Sequence, residues 1–209
     1  MSLMKAIAIE KAAKRLADAR YHADQLQPLN LDLGTAGLRR FSRDWFDFLA
    51  SLDSIMEILR AGGRGNPKSR QWVGSRENAR AKDPLMQYLH QARNCDTHGL
   101  DEPAGPMFGD DEITGFTPIS VGLRSLDGVL THHDMMAPVL KISETSAKVG
   151  DTVEVCFKLR KVVDDRFGTE FEVPGEHMGA PLADISPIAV AKLGLAYYEK
   201  LLSDAKALV

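Results

Sequence analysis

The sequence predicts an α+β fold: a mainly α-helical bundle with a small antiparallel β-sheet inserted before the C-terminal helix. Three observations predict it. Across residues 1–100 and again across 186–209, apolar residues recur every three or four positions, as on the buried face of a helix. Across 118–174 the apolar period is closer to two, which is typical of strands. A connector rich in Pro, Gly and acidic residues, 101–117, separates these patterns.

Three helices are predicted in the first hundred residues. Residues 3–26 carry apolar residues such as Ile7, Ala12 and Leu16 among charged ones and contain neither Gly nor Pro, which predicts a long amphipathic helix. A second helix runs from about Thr35 to Arg60, and Gly62 and Gly63 stop it. Its apolar stripe consists of Phe41, Trp45, Phe48, Leu49, Leu52, Ile55, Met56 and Leu59. Between Arg60 and Lys82 the chain is Gly-rich, basic and short of aliphatic residues, which predicts a loop with room for one short helix near Ser75.

The third helix opens at Asp83 and Pro84, an N-cap followed by a proline at the first helical position, and Gly99 is its expected end. Leu85, Met86, Leu89 and Ala92 are expected to be buried. Ser186 and Pro187 repeat the same start signal for the last helix. Between the connector and that helix, the strand candidates are ISVGLRSL, GVLTHH, PVLKIS, TVEVCFKLRKVV and TEFEV, with DDRFGTE as a hairpin turn.

The bulk composition narrows the class of protein. The chain of 209 residues is 44% hydrophobic and 26% charged, which fits a soluble folded domain. We expect a cytoplasmic location and no membrane segment, because no apolar run is long enough to span a bilayer and the start does not resemble a secretory signal. Two cysteines, Cys95 and Cys156, form no disulfide framework and are too few for a thiolate zinc site.

Charge is distributed unevenly along the chain. Residues 1–98 hold 16 Lys and Arg against 11 Asp and Glu, a net of +5, whereas residues 99–209 hold 10 against 18, a net of −8. A basic half can offer a surface to an anionic partner. Equally, the two halves can attract each other.

The third helix ends in the residues RNCDTH, positions 93–98, which place an arginine, an asparagine and a histidine together. Arginine is always charged and its planar fork matches phosphate oxygens. Histidine titrates near neutral pH and can transfer protons. Such a pair can transfer a proton and stabilise extra negative charge at one centre.

This segment resembles the Arg-polar-x3-His signature of the HEPN superfamily, whose members are small α-helical bundles. The resemblance covers about residues 1–100, and only the helix over 83–99 carries the motif. It implies Arg93 and His98 as catalytic residues and Asn94 as the supporting polar residue. It also implies a metal-independent endoribonuclease without cofactors, often a toxin or defence protein, that works as a homodimer. RNA and an antitoxin or other protein are the partners it suggests. The β segment departs from a plain HEPN bundle.

Helix geometry sets a condition on this site. Asn94 and His98 are four positions apart and share a face, whereas Arg93 points about 140° away from His98. Either the last turn is distorted, or a second subunit supplies the missing group across a symmetric interface. The alternative is structural: Arg93 pairs with Asp96 or an acid of the connector, and His98 caps the helix.

The basic stretch before the motif is a candidate RNA contact, carried by Arg64, Lys68, Arg70, Trp72, Arg76 and Arg80. Trp72 can stack on a base. The alternative is a solvated loop.

The other histidines are weaker candidates for a functional site. His132 and His133 are adjacent on a predicted strand and point to opposite faces, so no metal site is expected there. His90, eight positions before His98, can line the same groove, although packing is the simpler role, and His177 is a lone loop histidine. The competing function is a non-catalytic binding or regulatory module that retains the motif as a relic. A weaker third is nucleotide binding by the helical domain.

Overall fold

The computed structural model is mostly helical, with a small antiparallel β region before the C-terminal helix, which confirms the predicted α+β class. The structure describes residues 4–26, 35–98, 104–107, 117–122, 152–164 and 167–208. Of these, it describes the side chains of all but 35–39, 95–98, 104–107, 117–122 and 152–158. The helices are α1 Ala6–Gln25, α2 Thr35–Gly63, α3 Pro67–Lys82, α4 Pro84–His98 and α5 Pro187–Lys206.

Helices α1 and α2 pack side by side in opposite directions. The end of α1 lies beside the start of α2, where His22 meets Asp44, and the start of α1 lies beside Gly62 near the end of α2. Every member of the predicted α2 stripe is buried, from Phe41 to Leu59. The stripe therefore forms the centre of the core, as its three- and four-residue spacing predicts.

Helix α3 corrects the predicted loop between Arg60 and Lys82. The Oδ1 atom of Asn66 accepts hydrogen bonds from the backbone N–H groups of Lys68 and Ser69, so Asn66 caps the helix and Pro67 occupies its first turn. Only Ser69 and Val73 of this helix are buried. A helix with so narrow an apolar face gives almost no periodic signal, which is why the sequence pattern predicts a loop here.

Helix α4 begins where predicted, because Asp83 caps it. Its Oδ1 accepts the backbone N–H of Met86 at 2.9 Å. The predicted buried residues of α4 are buried, and Tyr88 is buried with them. The Tyr88 hydroxyl donates to the carbonyl of Arg160 at 2.6 Å, which ties α4 to the β region.

The described strands form three small antiparallel groups. Strands β1 (Ala104–Met107), β2 (Thr117–Gly122) and β3 (Thr152–Leu159) form a sheet with β3 in the centre. The other groups are the hairpins of β4 (Val162–Asp164) with β5 (Thr169–Phe171), and of β6 (Glu176–His177) with β7 (Ala180–Pro181). The first hairpin confirms the predicted turn.

Strand β1 lies inside the predicted connector, which corrects that assignment; its Pro106 is tolerated because β1 is an edge strand. The strand candidates over 128–133 and 138–143 lie outside the described residues.

Helix α5 begins as predicted, with Ser186 accepting the backbone N–H of Ala189 at 3.2 Å and Pro187 in the first turn. Its buried residues, among them Tyr198 and Leu202, join the same core cluster as α1, α2 and α4. An ion pair between Arg20 and Glu199 links α1 to α5 at the surface. Within the described ranges, no helix combines the length and the apolar character that crossing a membrane requires.

Candidate functional site

The polar side of α4 carries the candidate catalytic residues. Leu85, Tyr88, Leu89 and Ala92 face the core, whereas His90, Arg93 and Asn94 are half-buried. Arg93 and Asn94 follow His90 by three and four positions, so the three share one stretch of helix surface. The site is therefore an edge between the bundle core and the outer face of α4.

Arg93 and Asn94 contact each other directly. The Nη1 atom of Arg93 donates to Oδ1 of Asn94 at 3.2 Å. This bond fixes the asparagine carbonyl on the guanidinium and leaves the amide N–H groups of Asn94 for other acceptors. The structure thus brings two of the three predicted catalytic residues together.

The third predicted residue, His98, is the last residue of α4, and its side chain lies outside the described part of the structure. The backbone stays α-helical from Pro84 to His98. Position 98 is therefore one helical turn beyond position 94, and the last turn does not show the distortion considered above. The side chain of Asp96, the suggested alternative partner of Arg93, is also outside the described residues.

His90 is part of a polar network that sequence reasoning did not predict. Its Nδ1 lies 2.8 Å from Oδ1 of Asp53, a residue of α2. Arg80 of α3 donates from Nη1 to the same oxygen at 3.0 Å and to the hydroxyl of Tyr198 at 3.2 Å. Four helices meet in this network, because Tyr198 belongs to α5.

The protonation states within the network follow from burial and charge. Burial alone would raise the pKa of Asp53, but the hydrogen bonds and charges of His90 and Arg80 outweigh it and lower that pKa to about 2. Complete burial raises the pKa of Tyr198 to about 12, so its phenol stays neutral. Burial would lower the pKa of Arg80, yet Tyr198 and Asp53 together raise it.

An ionised carboxylate only accepts hydrogen bonds, so Nδ1 of His90 is the donor to Asp53. The neutral imidazole then carries its proton on Nδ1 and a free lone pair on Nε2, at the other side of the ring. The His90 side chain is 35% exposed, whereas that of Asp53 is 15% exposed. The arrangement leaves a basic nitrogen on a partly exposed ring, three positions before Arg93 on α4.

The basic stretch consists of exposed residues around the start of α3 and half-buried residues further along the helix. Arg64, Lys68 and Arg70 are exposed, around the start of α3. Trp72 is half-buried against the core, with the guanidinium of Arg76 lying 5.4 Å from the centre of its ring. Arg80 belongs to the internal network.

Several cations near α3 have internal partners. Arg76 pairs with Asp204 at 3.4 Å, and Arg60 contacts Glu57 and Glu77. Of the predicted RNA contacts, Arg64, Lys68 and Arg70 are the freely accessible ones, and the ring of Trp72 offers little open surface for a base.

His177 is not isolated. Its Nδ1 lies 3.0 Å from Oδ1 of Asp83, and the backbone N–H of Met178 donates to the other oxygen at 2.6 Å. The cap of α4 therefore also holds the β6–β7 hairpin. Burial would raise the pKa of Asp83, but these hydrogen bonds, with that of Met86, lower it.

One histidine outside α4 lies close to two carboxylates. His22, Asp44 and Asp47 place one ligand atom each within 4.8 Å of one another. Asp44 already pairs with His22 at 3.2 Å and with Arg40 at 3.5 Å, so ion pairing accounts for the cluster and we assign no metal to it. His132 and His133 lie outside the described residues.

Sequence reasoning could not pair His90 with Asp53, because the two residues are 37 positions apart and meet only where α4 packs against α2. The available signal was the position of His90 one turn before Arg93. Comparisons of the chain with models of known protein families, with curated proteins and with solved structures found no match.

Proposed function

We propose that this protein is a metal-independent endoribonuclease of the HEPN type whose active centre lies at the end of α4. Arg93 binds the non-bridging oxygens of the scissile phosphate and stabilises the charge that develops on them. His98 transfers a proton to the leaving oxygen, and Asn94 orients the guanidinium of Arg93 through the hydrogen bond between them. No cofactor enters this scheme.

The hydrogen bond between Arg93 and Asn94 is the observation that carries the proposal. It holds a guanidinium and an amide side by side at a half-buried edge, one turn before position 98. A fixed cation in a partly dry site is worth more to a transition state than a mobile one in water, because it needs no reorganisation during the reaction.

RNA would approach along α3. Arg64, Lys68 and Arg70 are exposed near its start and can contact successive phosphates without reading bases. A homodimer fits the helix geometry, since two α4 ends facing each other would bring His98 of each subunit to Arg93 of the other. A toxin or defence role is compatible with such an enzyme.

The competing proposal is a non-catalytic binding module. It is favoured by the internal pairing of Arg60, Arg76 and Arg80, which leaves α3 with fewer free cations than its sequence suggests. On this view Arg93 and Asn94 support the fold.

Cleavage of tRNA and mRNA in EDTA by the purified protein tests the proposal. We expect cleavage by the parent and losses of about 10²-fold or more for Arg93→Ala and His98→Ala. Arg15→Ala, which removes an exposed arginine of α1, serves as the matched control and should cleave like the parent. Absence of cleavage by the parent favours the binding module, and equal cleavage by all variants indicates a contaminant; either result contradicts the proposal.

A further inference from the structure

We propose that His90, oriented by Asp53, is a second proton-transfer residue of this centre and acts as the general base. The inference rests on the proposed function and adds a residue outside the RNCDTH motif. His90 takes the proton from the attacking 2′-hydroxyl, and His98 donates a proton to the leaving oxygen.

Asp53 fixes the orientation of the His90 ring. Asp53 is ionised and accepts from Nδ1 at 2.8 Å, so the neutral imidazole has its lone pair on Nε2. Arg80 donates to the same carboxylate oxygen at 3.0 Å and keeps Asp53 in place. A base held by a carboxylate that is itself held has little freedom to rotate away.

The position of His90 on α4 places it next to the motif residues. His90 lies three residues before Arg93 and four before Asn94, the spacings at which side chains on a helix are neighbours. His98 of the same helix points about 140° away from Arg93, so in the dimer proposed above the acid is His98 of the other subunit. An in-line displacement at phosphorus needs its base and its acid on opposite sides of the phosphate, with the stabilising cation between them.

His90 differs from the histidines of the other two histidine–carboxylate pairs among the described side chains. The His22 side chain, paired with Asp44, is 22% exposed, and that of His177, paired with Asp83, is 10% exposed. His90 is 35% exposed and has the shortest contact of the three, 2.8 Å against 3.2 and 3.0 Å. It alone in this group neighbours Arg93 on its helix.

The reaction balances as follows. Nε2 of His90 accepts the proton of the 2′-hydroxyl, the 2′-oxygen forms a bond to phosphorus, and the bond from phosphorus to the 5′-oxygen breaks. His98 in its protonated form donates a proton to that 5′-oxygen. The products are a 2′,3′-cyclic phosphate end and a 5′-hydroxyl end, and no oxidant, reductant or metal is consumed.

The test uses His90→Gln in the full-length protein, assayed on oligoribonucleotides in EDTA. Glutamine retains an N–H donor for Asp53 but cannot take up a proton at neutral pH. We expect kcat to fall about 10²- to 10⁴-fold with KM changed by no more than about twofold. His22→Gln alters a similar pair elsewhere and is expected to leave both constants unchanged. In His90→Ala, added imidazole should restore part of the lost rate, which separates lost chemistry from lost packing.

The outcomes are distinguishable. If the parent cleaves RNA and His90→Gln cleaves equally well, or differs only in KM, the base assignment is overturned while the proposed function stands. Lack of rescue of His90→Ala by imidazole also overturns it. If the parent does not cleave RNA, the proposed function fails and this inference fails with it. Nitrogen-15 NMR of the ring gives a readout without activity: the proton of neutral His90 should be on Nδ1, and a proton on Nε2 overturns the orientation.

Discussion

Nδ1 of His90 lies 2.8 Å from Oδ1 of Asp53, so a histidine on α4 and a carboxylate on α2 form a pair between helices. Arg80 and the buried Tyr198 extend the pair into the core, and His90 lies three positions before Arg93 on α4. The pair therefore connects the stability of the bundle with the chemistry proposed for the end of α4.

Asp53 should make the stability of the protein depend on acid. Its pKa in the folded chain, about 2, is below the ordinary value of 3.8, so the ionised form stabilises the fold. That stabilisation is fully present above about pH 4 and is lost as the pH falls through 2; the shift corresponds to roughly 2 kcal/mol. The difference in unfolding free energy between the parent and Asp53→Asn, from urea unfolding, should shrink by this amount between pH 6 and pH 2. A difference that does not change with pH would contradict the assignment.

Tyr198 should contribute through its hydroxyl. Tyr198→Phe keeps the ring and removes the acceptor that Arg80 contacts at 3.2 Å. We expect a loss of about 1 kcal/mol in unfolding free energy, because Arg80 retains Asp53 but loses its second acceptor. Tyr21→Phe, on a ring that is 60% exposed, is the control and should be neutral. Equal stability of Tyr198→Phe and the parent would show that the hydroxyl contact is unimportant.

Two helical glycines should respond to alanine in opposite ways. A Cβ at Gly62 of α2 would clash with the Cβ of Ala8 on α1, whereas a Cβ at Gly74 of α3 would meet nothing within 4 Å. We expect Gly62→Ala to cost about 1–3 kcal/mol through overpacking. Gly74→Ala should stabilise the protein by up to about 1 kcal/mol through helix propensity. Thermal unfolding of both variants checks the prediction, and a stabilised Gly62→Ala would be inconsistent with the close approach of α1 and α2.

The turn between β6 and β7 stores backbone strain at Met178. This residue has a φ of 53°, is followed by Gly179 at 78°, and is 69% exposed. Asparagine adopts positive φ more readily, and such turns favour it at this position. Met178→Asn should therefore raise the unfolding free energy by about 0.5–1 kcal/mol. A loss of stability would indicate that the methionine side chain has a packing role.

The sequence predicted those elements whose signals are local. The α2 stripe is buried because its eight apolar residues, at helical spacing, all lie on one face of the helix, and that face packs into the core. The starts of α4 and α5 were predicted from a capping residue followed by proline. Asn66 and Pro67 carry the same signal for α3, but the Gly-rich, basic composition around them obscured it.

The rest depends on contacts between distant residues. Strand β1 contains Gly105 and Pro106, which argue against a strand until β3 is known to pair with it. The motif indicates Arg93 and Asn94 as site residues, and the structure shows a hydrogen bond between their side chains. The pairing of His90 with Asp53 could not be predicted from the sequence, because no local pattern encodes a contact between residues so far apart.

The central claim is that residues at the end of α4 cleave RNA without a metal, with the 2′-hydroxyl of the RNA as the attacking group. The most direct measurement is incubation of the parent protein in EDTA with an oligoribonucleotide and with an oligodeoxyribonucleotide of the same sequence. We predict that the ribonucleotide strand is cut to fragments ending in a 2′,3′-cyclic phosphate and that the deoxyribonucleotide strand stays whole. An intact ribonucleotide strand, or equal cutting of both strands, would contradict the claim.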